Sequence, residues 1–425
     1  MRIGFFTDRY LPLTDGIAYS TEDFRCELEK LGHEVYIFAP RADRHYKETS
    51  KRVIRFPAIK GLFFDDYMTS FFFPPQVMRR LEKLNLDVVH FHTPGQIGLM
   101  GAYFALRHNI PLLTTYHTDL YEYVKHYPSV LPGTIALSML APAITGGGMR
   151  EYRDTLSSIK PERSVDKWNQ KIVERGVTMI HNHCDVVITP SAKIERQLKR
   201  WKTKCRLVTM PTGVDKITTK PRDAERLRKE FNIEPGQKII LSVGRIGTEK
   251  NLSLLLQAFD VVAKKEPTAR IILVGRGDDI DRFRAQAAAS PYADRILFAG
   301  RIERSLLGAL YASASVFAFP SKTDTQGLVL NEAALAGLPI VMIDREITTI
   351  VRDGENGYFA KNNYKDFAAK LLKVLSNDSR RQKLGQHGIA LAADYSASAQ
   401  ALKLLRLYEE TIERHHAKAA PPASR

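Results

Sequence analysis

The length, composition and charge of this chain exclude several classes of protein. It has 425 residues, 44% of them hydrophobic and 26% charged, so it is long enough for about two or three domains and too hydrophobic to be disordered. Lys and Arg number 63 against 47 Asp and Glu, and the formal net charge of +16 favours polyanionic partners without choosing among nucleic acid, anionic lipid and phosphorylated substrates. The three cysteines are odd in number and lack metal-ligand spacing, which argues against a disulfide framework and favours a reducing compartment.

Neither a targeting segment nor a membrane-spanning segment is predicted. The opening residues, MRIGFFTDRY, lack the basic stretch and the cleavage site of a secretory signal. The longest stretch without Asp, Glu, Lys or Arg covers residues 126–149, and it contains three prolines and three consecutive glycines. These residues suit a spanning helix poorly, so we expect no transmembrane helix.

Strand and helix patterns alternate along the first half of the chain. After the apolar run MRIGFFT and a turn-rich stretch, a helical pattern covers Ile17 to Leu31 and stops at Gly32. Buried strands are predicted at residues 33–40, 86–92, 110–117 and 184–190. Strands that alternate with helices indicate a parallel sheet with right-handed crossovers, so residues 1–208 are predicted to form one Rossmann-like domain.

The same alternation restarts after the segment RLVTMPTGVD. Strand patterns such as KIILSVGRI, RIILVGRG and SVFAFPS alternate with helical ones, and they predict a second Rossmann-like domain over residues 213–394. A helical pattern at 395–415 is followed by a small-residue tail, 416–425, which we expect to be disordered. The predicted fold class is therefore α/β, with two facing Rossmann-like domains and a cleft between them, and ligands are expected beyond the carboxyl ends of the strands.

Several candidate binding residues of the second domain directly follow predicted strands. Arg245 and Lys250, in SVGRIGTEKN, could converge on one diphosphate, although such a pair can also be solvated loop cations. Gly244 lies in the same turn. Gly275, in VGRGDD, and Arg301, in AGRIE, lie in two further glycine turns that could present backbone groups to a nucleobase.

The most informative stretch is PSKTDTQGLVLNEAALAGLPIV, residues 320–341. Gly327 directly precedes a predicted amphipathic helix, so the backbone amides of Gly327, Leu328 and Val329 would favour an anion. Asp324 lies in the preceding loop and Glu332 in the second helical turn, and one carboxylate could reach a sugar while the other reaches a ribose. A plain surface carboxylate is the alternative interpretation of Glu332.

The first domain offers fewer candidates. Gly16 follows the first strand and precedes the first helix, where it could allow close approach of a phosphate or sugar, or form a plain turn. His117 ends the strand 110–117 and could donate a hydrogen bond to a substrate hydroxyl, or be a structural histidine. The histidines at 90, 92, 181 and 183 show no ligand pattern, so no metal site is predicted.

Taken in order, these residues resemble the retaining nucleotide-sugar glycosyltransferases of family 4, which have the B-type fold of two facing Rossmann-like domains. The resemblance runs from MRIGFFTDRYLPLTDGI through HTDLYEY, the PTGVD hinge, SVGRIGTEKN and PSKTDTQGLVLNEA to the closing helix. Its strongest element is a pair of glutamates separated by seven residues. Here Asp324, one methylene shorter, stands in the first position and Glu332 in the second, and the hinge has PTGVD where the family usually has PNGVD.

The resemblance implies a role for each candidate. Arg245 and Lys250 would neutralise the donor diphosphate, the backbone near Arg301 would contact the base, and His117 would lie at the sugar. The donor phosphate would take the acceptor proton in a front-face, retaining reaction that needs no cofactor and no metal. The predicted catalytic residues are His117, Arg245, Lys250 and Asp324. The predicted donor-binding residues are Gly16, Gly244, Gly275, Arg301, Gln326, Gly327, Leu328, Val329 and Glu332.

Two further segments favour a lipid acceptor. HTDLYEYVKHYP and TDTQG resemble the corresponding segments of diacylglycerol glucosyltransferases and sulfolipid synthases. Phe71, Phe72 and Phe73, followed by Arg79 and Arg80, could form an apolar wedge with adjacent cations against anionic lipid, or could belong to the core. We therefore expect an enzyme peripheral on the cytoplasmic face of a membrane that transfers a hexose, with glucose from UDP-glucose as the first candidate, to a lipid such as diacylglycerol.

Other functions remain open on the sequence alone. GDP-mannose or another donor could be used with a soluble or glycan acceptor. Asp324 also admits a sugar-nucleotide-binding relative without activity. The net charge allows a nucleic-acid-binding protein, but no recognisable reader element is present, so nucleic acid is not the expected partner.

Overall fold

The chain divides into two compact units. The computed structural model describes residues 1–13, 15–43, 45–48, 50–60, 68–70, 75–126, 131–160 and 163–419. The first unit comprises Met1–Gly213 with Ala397–Arg425, and the second comprises Val214–Ser396. The first unit thus extends five residues beyond the predicted limit of 208, because the strand Arg206–Thr209 is followed by a segment that stays with the first sheet.

The first unit is built on a parallel sheet. Its strands are β1 (Arg2–Phe6), β2 (Glu34–Pro40), β3 (Val53–Phe56), β4 (Ile59–Lys60), β5 (Met68–Thr69), β6 (Val88–Phe91), β7 (Leu112–Thr115), β8 (Val186–Thr189) and β9 (Arg206–Thr209). Seven of them pair in the order β3-β2-β1-β6-β7-β8-β9, every neighbouring pair being parallel. The short β4 and β5 form a separate antiparallel pair.

Helices cover both faces of this sheet. They are α1 (Gly16–Lys30), α2 (Pro75–Glu82), α3 (Gln96–Arg107), α4 (Leu120–His126), α5 (Leu131–Thr145), α6 (Met149–Ile159), α7 (Val165–His181), α8 (Ala192–Arg200) and the C-terminal helix. The central strand β1 is buried on both sides, with Phe5 in one apolar cluster and Phe6 in the other. This double burial explains why the strands read as continuous apolar runs.

In the described residues between β7 and β8, the chain forms four helices, α4 to α7. This is the part of the fold that the sequence patterns anticipated least, because the charge-free residues 126–149 show neither a polar face nor a clear period. Across the residues that the structure describes, no helix is both long and apolar enough to cross a membrane.

The second unit repeats the plan of the first. Its strands are β10 (Lys238–Val243), β11 (Ala269–Val274), β12 (Ile296–Gly300), β13 (Val316–Phe319), β14 (Ile340–Met342) and β15 (Gly357–Phe359). They form a parallel sheet in the order β12-β11-β10-β13-β14-β15, the Rossmann order. The helices are α9 (Pro221–Glu230), α10 (Leu252–Lys265), α11 (Ile280–Ala288), α12 (Arg304–Ser313), α13 (Leu328–Leu335), α14 (Tyr364–Leu375) and α15 (Asp378–Ala393). Two Rossmann-like α/β domains are therefore confirmed.

The last helix, α16 (Ala397–Ala419), belongs to the first unit, where it packs on α1. It extends past the predicted end at 415, so the expectation of disorder from residue 416 is wrong for 416–419. His415 anchors this end, because its ring contacts Asp185 Oδ2 at 3.0 Å and Asn109 Oδ1 at 3.1 Å. Residues 420–425 of the predicted tail lie outside the described residues, as do Phe71, Phe72 and Phe73.

Candidate active site

Glycine backbones connect three strand ends of the second unit. The amide of Gly244, after β10, donates to Val274 O at 2.9 Å, and the amide of Gly275, after β11, donates to Gly300 O at 2.8 Å. Gly275 has a φ of +142°, and a Cβ there would lie 1.8 Å from Gly244 O. Only glycine fits such an approach, so the loops after β10, β11 and β12 lie side by side at the carboxyl edge of the sheet.

The loops after β10 and β13 are joined by three hydrogen bonds, because these two strands are neighbours in the sheet. Lys250 Nζ donates to Asp324 Oδ1 at 2.6 Å. Thr323 Oγ1 donates to Glu249 O at 3.2 Å, and Asn251 Nδ2 donates to Pro320 O at 3.3 Å. Two of the predicted catalytic residues, Lys250 and Asp324, therefore form a direct, partly buried ion pair.

Arg245 is held by a carboxylate that sequence reasoning missed. Its Nη2 lies 2.8 Å from Glu249 Oε1, and the Glu249 side chain is buried whereas 39% of the Arg245 side chain is exposed. Glu249 lies in the 3-10 turn Thr248–Lys250, four residues after Arg245. No local pattern signalled this contact, because Arg245 lies in the loop before the turn and the two residues do not share a helix. The pair fixes a positive charge near the strand ends.

The helix α13 begins where the glycine pattern predicted. Gly327 is its N-cap residue with a φ of +73°, and no side chain caps this end. The first backbone amides of a helix lack acceptors within the helix and favour a negative charge in front of them. Leu328 and Val329 supply such amides and are half-buried, whereas the Gln326 side chain is buried. The N-terminus of α13 follows Asp324 by only three residues, so it is close to the Lys250 pair along the chain.

Glu332 is oriented by α12. Tyr311 Oη donates to Glu332 Oε2 at 2.8 Å, and Arg304 Nε lies 3.7 Å from Oε1. Burial, with the Glu332 charge as a further cause, holds the pKa of Tyr311 well above its usual value, so the hydroxyl stays a donor. The plain surface-carboxylate interpretation is therefore wrong, because the side chain is mostly buried and bonded. Arg301 directly follows β12 and is exposed.

In the first unit, His117 is the end of a row of three histidine rings. His117 Nε2 lies 3.0 Å from His92 Nδ1, and the rings of His92 and His90 are stacked with centroids 4.2 Å apart. His90 is fixed by Tyr408 Oη at 2.7 Å and Thr115 Oγ1 at 2.8 Å. The row gives His117 a set ring orientation at the end of β7. The sequence analysis considered His90 and His92 only as metal ligands, a role that their pattern did not support. It missed that they position His117.

Burial keeps this row uncharged. It lowers the pKa of His90 to about 3 and that of His117 to about 4, although the Asp15 carboxylate partly opposes the effect at His117. Asp15 also caps α1, its Oδ1 accepting from the amides of Ile17 and Ala18 at 3.0 Å each. Gly16 opens that helix and is exposed. At neutral pH, His117 can donate or accept a hydrogen bond but carries no charge.

The predicted membrane residues are only partly described. Arg79 and Arg80 lie exposed on α2, whereas Val77 and Met78 of the same helix pack against the core of the first unit. Within the described parts of the chain, no three His, Cys, Asp or Glu side chains are grouped as a metal ion would require.

Comparison with known proteins identifies the family. The family model described as Glycosyltransferase Family 4 matches residues 14–216, and that described as Glycosyl transferases group 1 matches residues 223–418. An alpha-monoglucosyldiacylglycerol synthase of Streptococcus pneumoniae is 30% identical over 80% of this chain and 70% of its own length. The chain belongs to glycosyltransferase family 4.

Other relatives of this glycosyltransferase agree with the resemblance seen in its motifs. The alpha-monoglucosyldiacylglycerol synthase of Acholeplasma laidlawii is 28% identical over 98% of this chain and 99% of its own. A sulfoquinovosyl transferase of Arabidopsis thaliana is 24% identical over 86% of this chain and 64% of its own. The structure of HepE from Anabaena in complex with UDP-glucose matches with a TM-score of 0.70 at 15% identity, over 96% of this chain and all of that one, which shows the shared B-type fold. The predicted family and fold are both confirmed.

Proposed function

We propose that this glycosyltransferase transfers glucose from UDP-glucose to a diacylglycerol-type lipid, with retention of configuration at the anomeric carbon. One observation carries the donor half of the proposal: Lys250, Arg245 and the N-terminus of α13 lie on loops that follow the adjacent strands β10 and β13. The similarity to two alpha-monoglucosyldiacylglycerol synthases supports the sugar and the acceptor.

The donor diphosphate would bind beside the side chains of Lys250 and Arg245. Lys250 and Arg245 each have a carboxylate partner, so both cations are already positioned before the donor arrives. The diphosphate carries two negative charges, one on each phosphate, so it offers partners to Lys250 and Arg245 together. The amides at the start of α13 add further hydrogen-bond donors.

Bond cleavage would place negative charge on the departing nucleotide and positive charge on the sugar. The C–O bond from the anomeric carbon to the β-phosphate breaks, the lipid hydroxyl forms a new C–O bond on the same face, and a phosphate oxygen takes the hydroxyl proton. Preorganised cations and amides stabilise the growing charge more than the charge already present in the bound donor. Arg245 and Lys250 supply this charge in the proposal, which therefore requires no metal ion.

The remaining residues would orient the donor and the sugar. Glu332, held by Tyr311, has carboxylate oxygens suited to accept from the ribose hydroxyls. Neutral His117, held by His92, would hydrogen-bond a sugar hydroxyl. Asp324 would exchange its bond to Lys250 for a sugar hydroxyl once the diphosphate is bound. The acceptor lipid places the enzyme, in this proposal, at the cytoplasmic surface of a membrane.

The test is a matrix of donors and acceptors. UDP-glucose, UDP-galactose and GDP-mannose are each incubated with the enzyme and with diacylglycerol vesicles or soluble glycans, with and without EDTA. We expect an α-glucosyl lipid from UDP-glucose alone, unaffected by EDTA, with the anomeric configuration read by NMR. Transfer from GDP-mannose alone, transfer only to glycans, a β-linked product, or UDP-glucose binding without turnover would each contradict the proposal. Lys250→Ala serves as the inactive control.

A further inference from the structure

We infer that helices α5 and α6 form the surface on which this enzyme docks on an anionic lipid bilayer. The inference rests on the proposed function, since an enzyme that glycosylates a membrane lipid must reach the bilayer. It concerns a region that none of the site residues occupies. The docking face is defined by Pro132, Ala136, Met139, Leu140 and Ala143 of α5 and Met149, Tyr152 and Leu156 of α6.

The solvent side of α5 is apolar. No residue of Leu131–Thr145 carries a charge, and the side chains exposed along it are Pro132, Ala136, Met139, Leu140 and Ala143. Met139 is 51% exposed and Leu140 53% exposed. The opposite side, with Ser138, Ala141 and Thr145, is buried, and α5 packs on α3 and α7. A helix on the surface of a water-soluble domain normally exposes its polar face to solvent. Helix α5 instead exposes apolar side chains to solvent.

The neighbouring α6 continues the apolar face. Met149 is 86% exposed and Leu156 58% exposed, and Tyr152 lies between them. Residues three and seven apart share one side of a helix, so these three side chains form one stripe. Thr155 is buried, and α6 packs on both α5 and α7. Large side chains thus emerge from two adjacent helices of the same connection.

Cations border this stripe. Arg150 and Arg153 are exposed on α6, as is Lys160 directly after the helix. The exposed Asp154 follows Met149 by five residues, so it lies on the side of the helix opposite the stripe. Arg153 follows Met149 by four residues and therefore lies beside it on the helix surface. Apolar side chains with adjacent Arg and Lys are typical of helices that lie in a bilayer interface, where the apolar groups enter the acyl boundary and the cations meet lipid phosphates.

The dimensions also suit a helix lying in the interface. At 1.5 Å per residue, the fifteen residues of α5 span about 22 Å, less than the roughly 30 Å of a bilayer core. The helix is too short to cross and apolar enough to lie flat. Moreover, the connection that carries α5 and α6 begins directly after β7 with His117, the residue we assign to the sugar.

Flotation with lipid vesicles tests the docking face. The full-length enzyme is mixed with phosphatidylcholine vesicles with and without phosphatidylglycerol. Two double variants, Met139→Ser with Leu140→Ser and Met149→Ser with Leu156→Ser, are expected to bind phosphatidylglycerol vesicles at least about tenfold more weakly than the wild type, because each change removes apolar area from the interface. Leu402→Ser, an equally apolar change at an exposed position of α16, should bind like the wild type.

A charge variant gives a second, independent result. Arg150→Gln with Arg153→Gln should weaken binding to vesicles that contain phosphatidylglycerol and leave binding to pure phosphatidylcholine unchanged, and added salt should abolish the difference. Wild-type binding in both serine variants would overturn the inference. The inference would also be overturned if the wild type is a dimer and the serine variants are monomers that bind vesicles as the wild type does. The face would then join two copies of the chain.

The same samples separate this inference from the proposed function. Transfer of glucose to a short-chain, water-soluble diacylglycerol is measured for each variant. Docking variants that lose vesicle binding but keep this soluble transfer support both proposals. The proposed function alone is refuted if the wild type binds vesicles through this face but transfers no glucose to any diacylglycerol. The docking face alone is refuted if the variants show normal transfer and unchanged vesicle binding.

Discussion

The ammonium group of Lys250 is held by a short contact with Asp324, and both side chains are about one-fifth exposed. Partial burial matters, because a charge pair that excludes part of the solvent keeps its geometry better than a surface pair. The aspartate is one methylene shorter than the glutamate usual in the family, yet it reaches Lys250 directly. The shorter side chain therefore holds the cation from the loop just before α13.

Replacing Lys250 should reveal how much of the reaction depends on this charge. Lys250→Ala is expected to lower kcat about 100-fold, because one preorganised contact to the developing negative charge is lost. Steady-state transfer from UDP-glucose gives the number, and circular dichroism checks the fold. Lys264→Ala, an exposed lysine on α10, is the matched control and should retain normal turnover. Near-normal turnover of Lys250→Ala would remove this residue from the site.

Positions at strand ends could be predicted from the sequence, but their partners could not. Lys250 and Asp324 were identified because each follows an apolar strand. Their mutual contact depends on β10 and β13 being neighbours, and that adjacency is a property of the sheet order. Tyr311 was missed for a similar reason. It lies on a helix 21 residues before Glu332, and no local pattern joins the two.

At the level of elements, the close packing of three loops determines the shape of the proposed donor site. The amide of Gly275 bonds to the carbonyl of Gly300, and its Cα faces the carbonyl of Gly244. The loops after β10, β11 and β12 thus approach one another through backbone contacts, and Asp279 Oδ2 adds a side-chain bond by accepting from the amide of Thr248 at 2.7 Å. Side chains at these positions would separate the loops and move Arg245.

Gly275→Ala tests this packing. The new Cβ would lie 1.8 Å from Gly244 O, so the loops must separate, and we expect the free energy of unfolding to fall by about 1–3 kcal/mol beyond the cost of the backbone angle. UDP affinity should fall with it. Gly236→Ala isolates the backbone cost, since Gly236 also has a positive φ, +85°, but has nothing within 4 Å. Equal urea stability and equal UDP affinity in the two variants would contradict the account.

Elements with a clear period were predictable, and those without one were not. The strands of both sheets carry apolar runs of the expected length, and α10 and α13 follow their turn signals. Helix α5 was missed because its exposed side is apolar, so no polar stripe marks a period, and because Pro142 lies inside it. If α5 contacts lipid, the failure has a physical cause, since the usual contrast between core and solvent faces is absent.

For the whole molecule, buried uncharged histidines link stability to pH. Burial lowers the pKa of His90 and His181 to about 3 and that of His117 to about 4. All three belong to the first unit. In the unfolded chain they titrate near 6.5. Above that pH both states are neutral, whereas below it the unfolded state binds protons that the folded state does not.

Stability should therefore fall as the pH drops from about 6.5 towards 4, by up to about 1.4 kcal/mol per pH unit for each histidine. Urea unfolding measured across this window tests the effect. Carboxylates titrate in the same range, so the informative comparison is with His181→Gln. A plot of its free energy of unfolding against pH should be less steep than that of the wild type, by the amount that the uptake of about one proton contributes. Identical slopes for the two proteins would show that His181 is not held neutral.

The central claim is that the carboxyl edge of the second sheet binds the diphosphate of a nucleotide sugar. Calorimetric titration of the full-length enzyme with UDP tests it most directly, using Arg245→Gln with Lys250→Gln as the variant and Lys264→Gln with Lys265→Gln as the control. Two charge-assisted contacts are lost, so the variant should bind UDP at least about 100-fold more weakly than the wild type and the control. UDP affinity that is the same in all three proteins would contradict the claim.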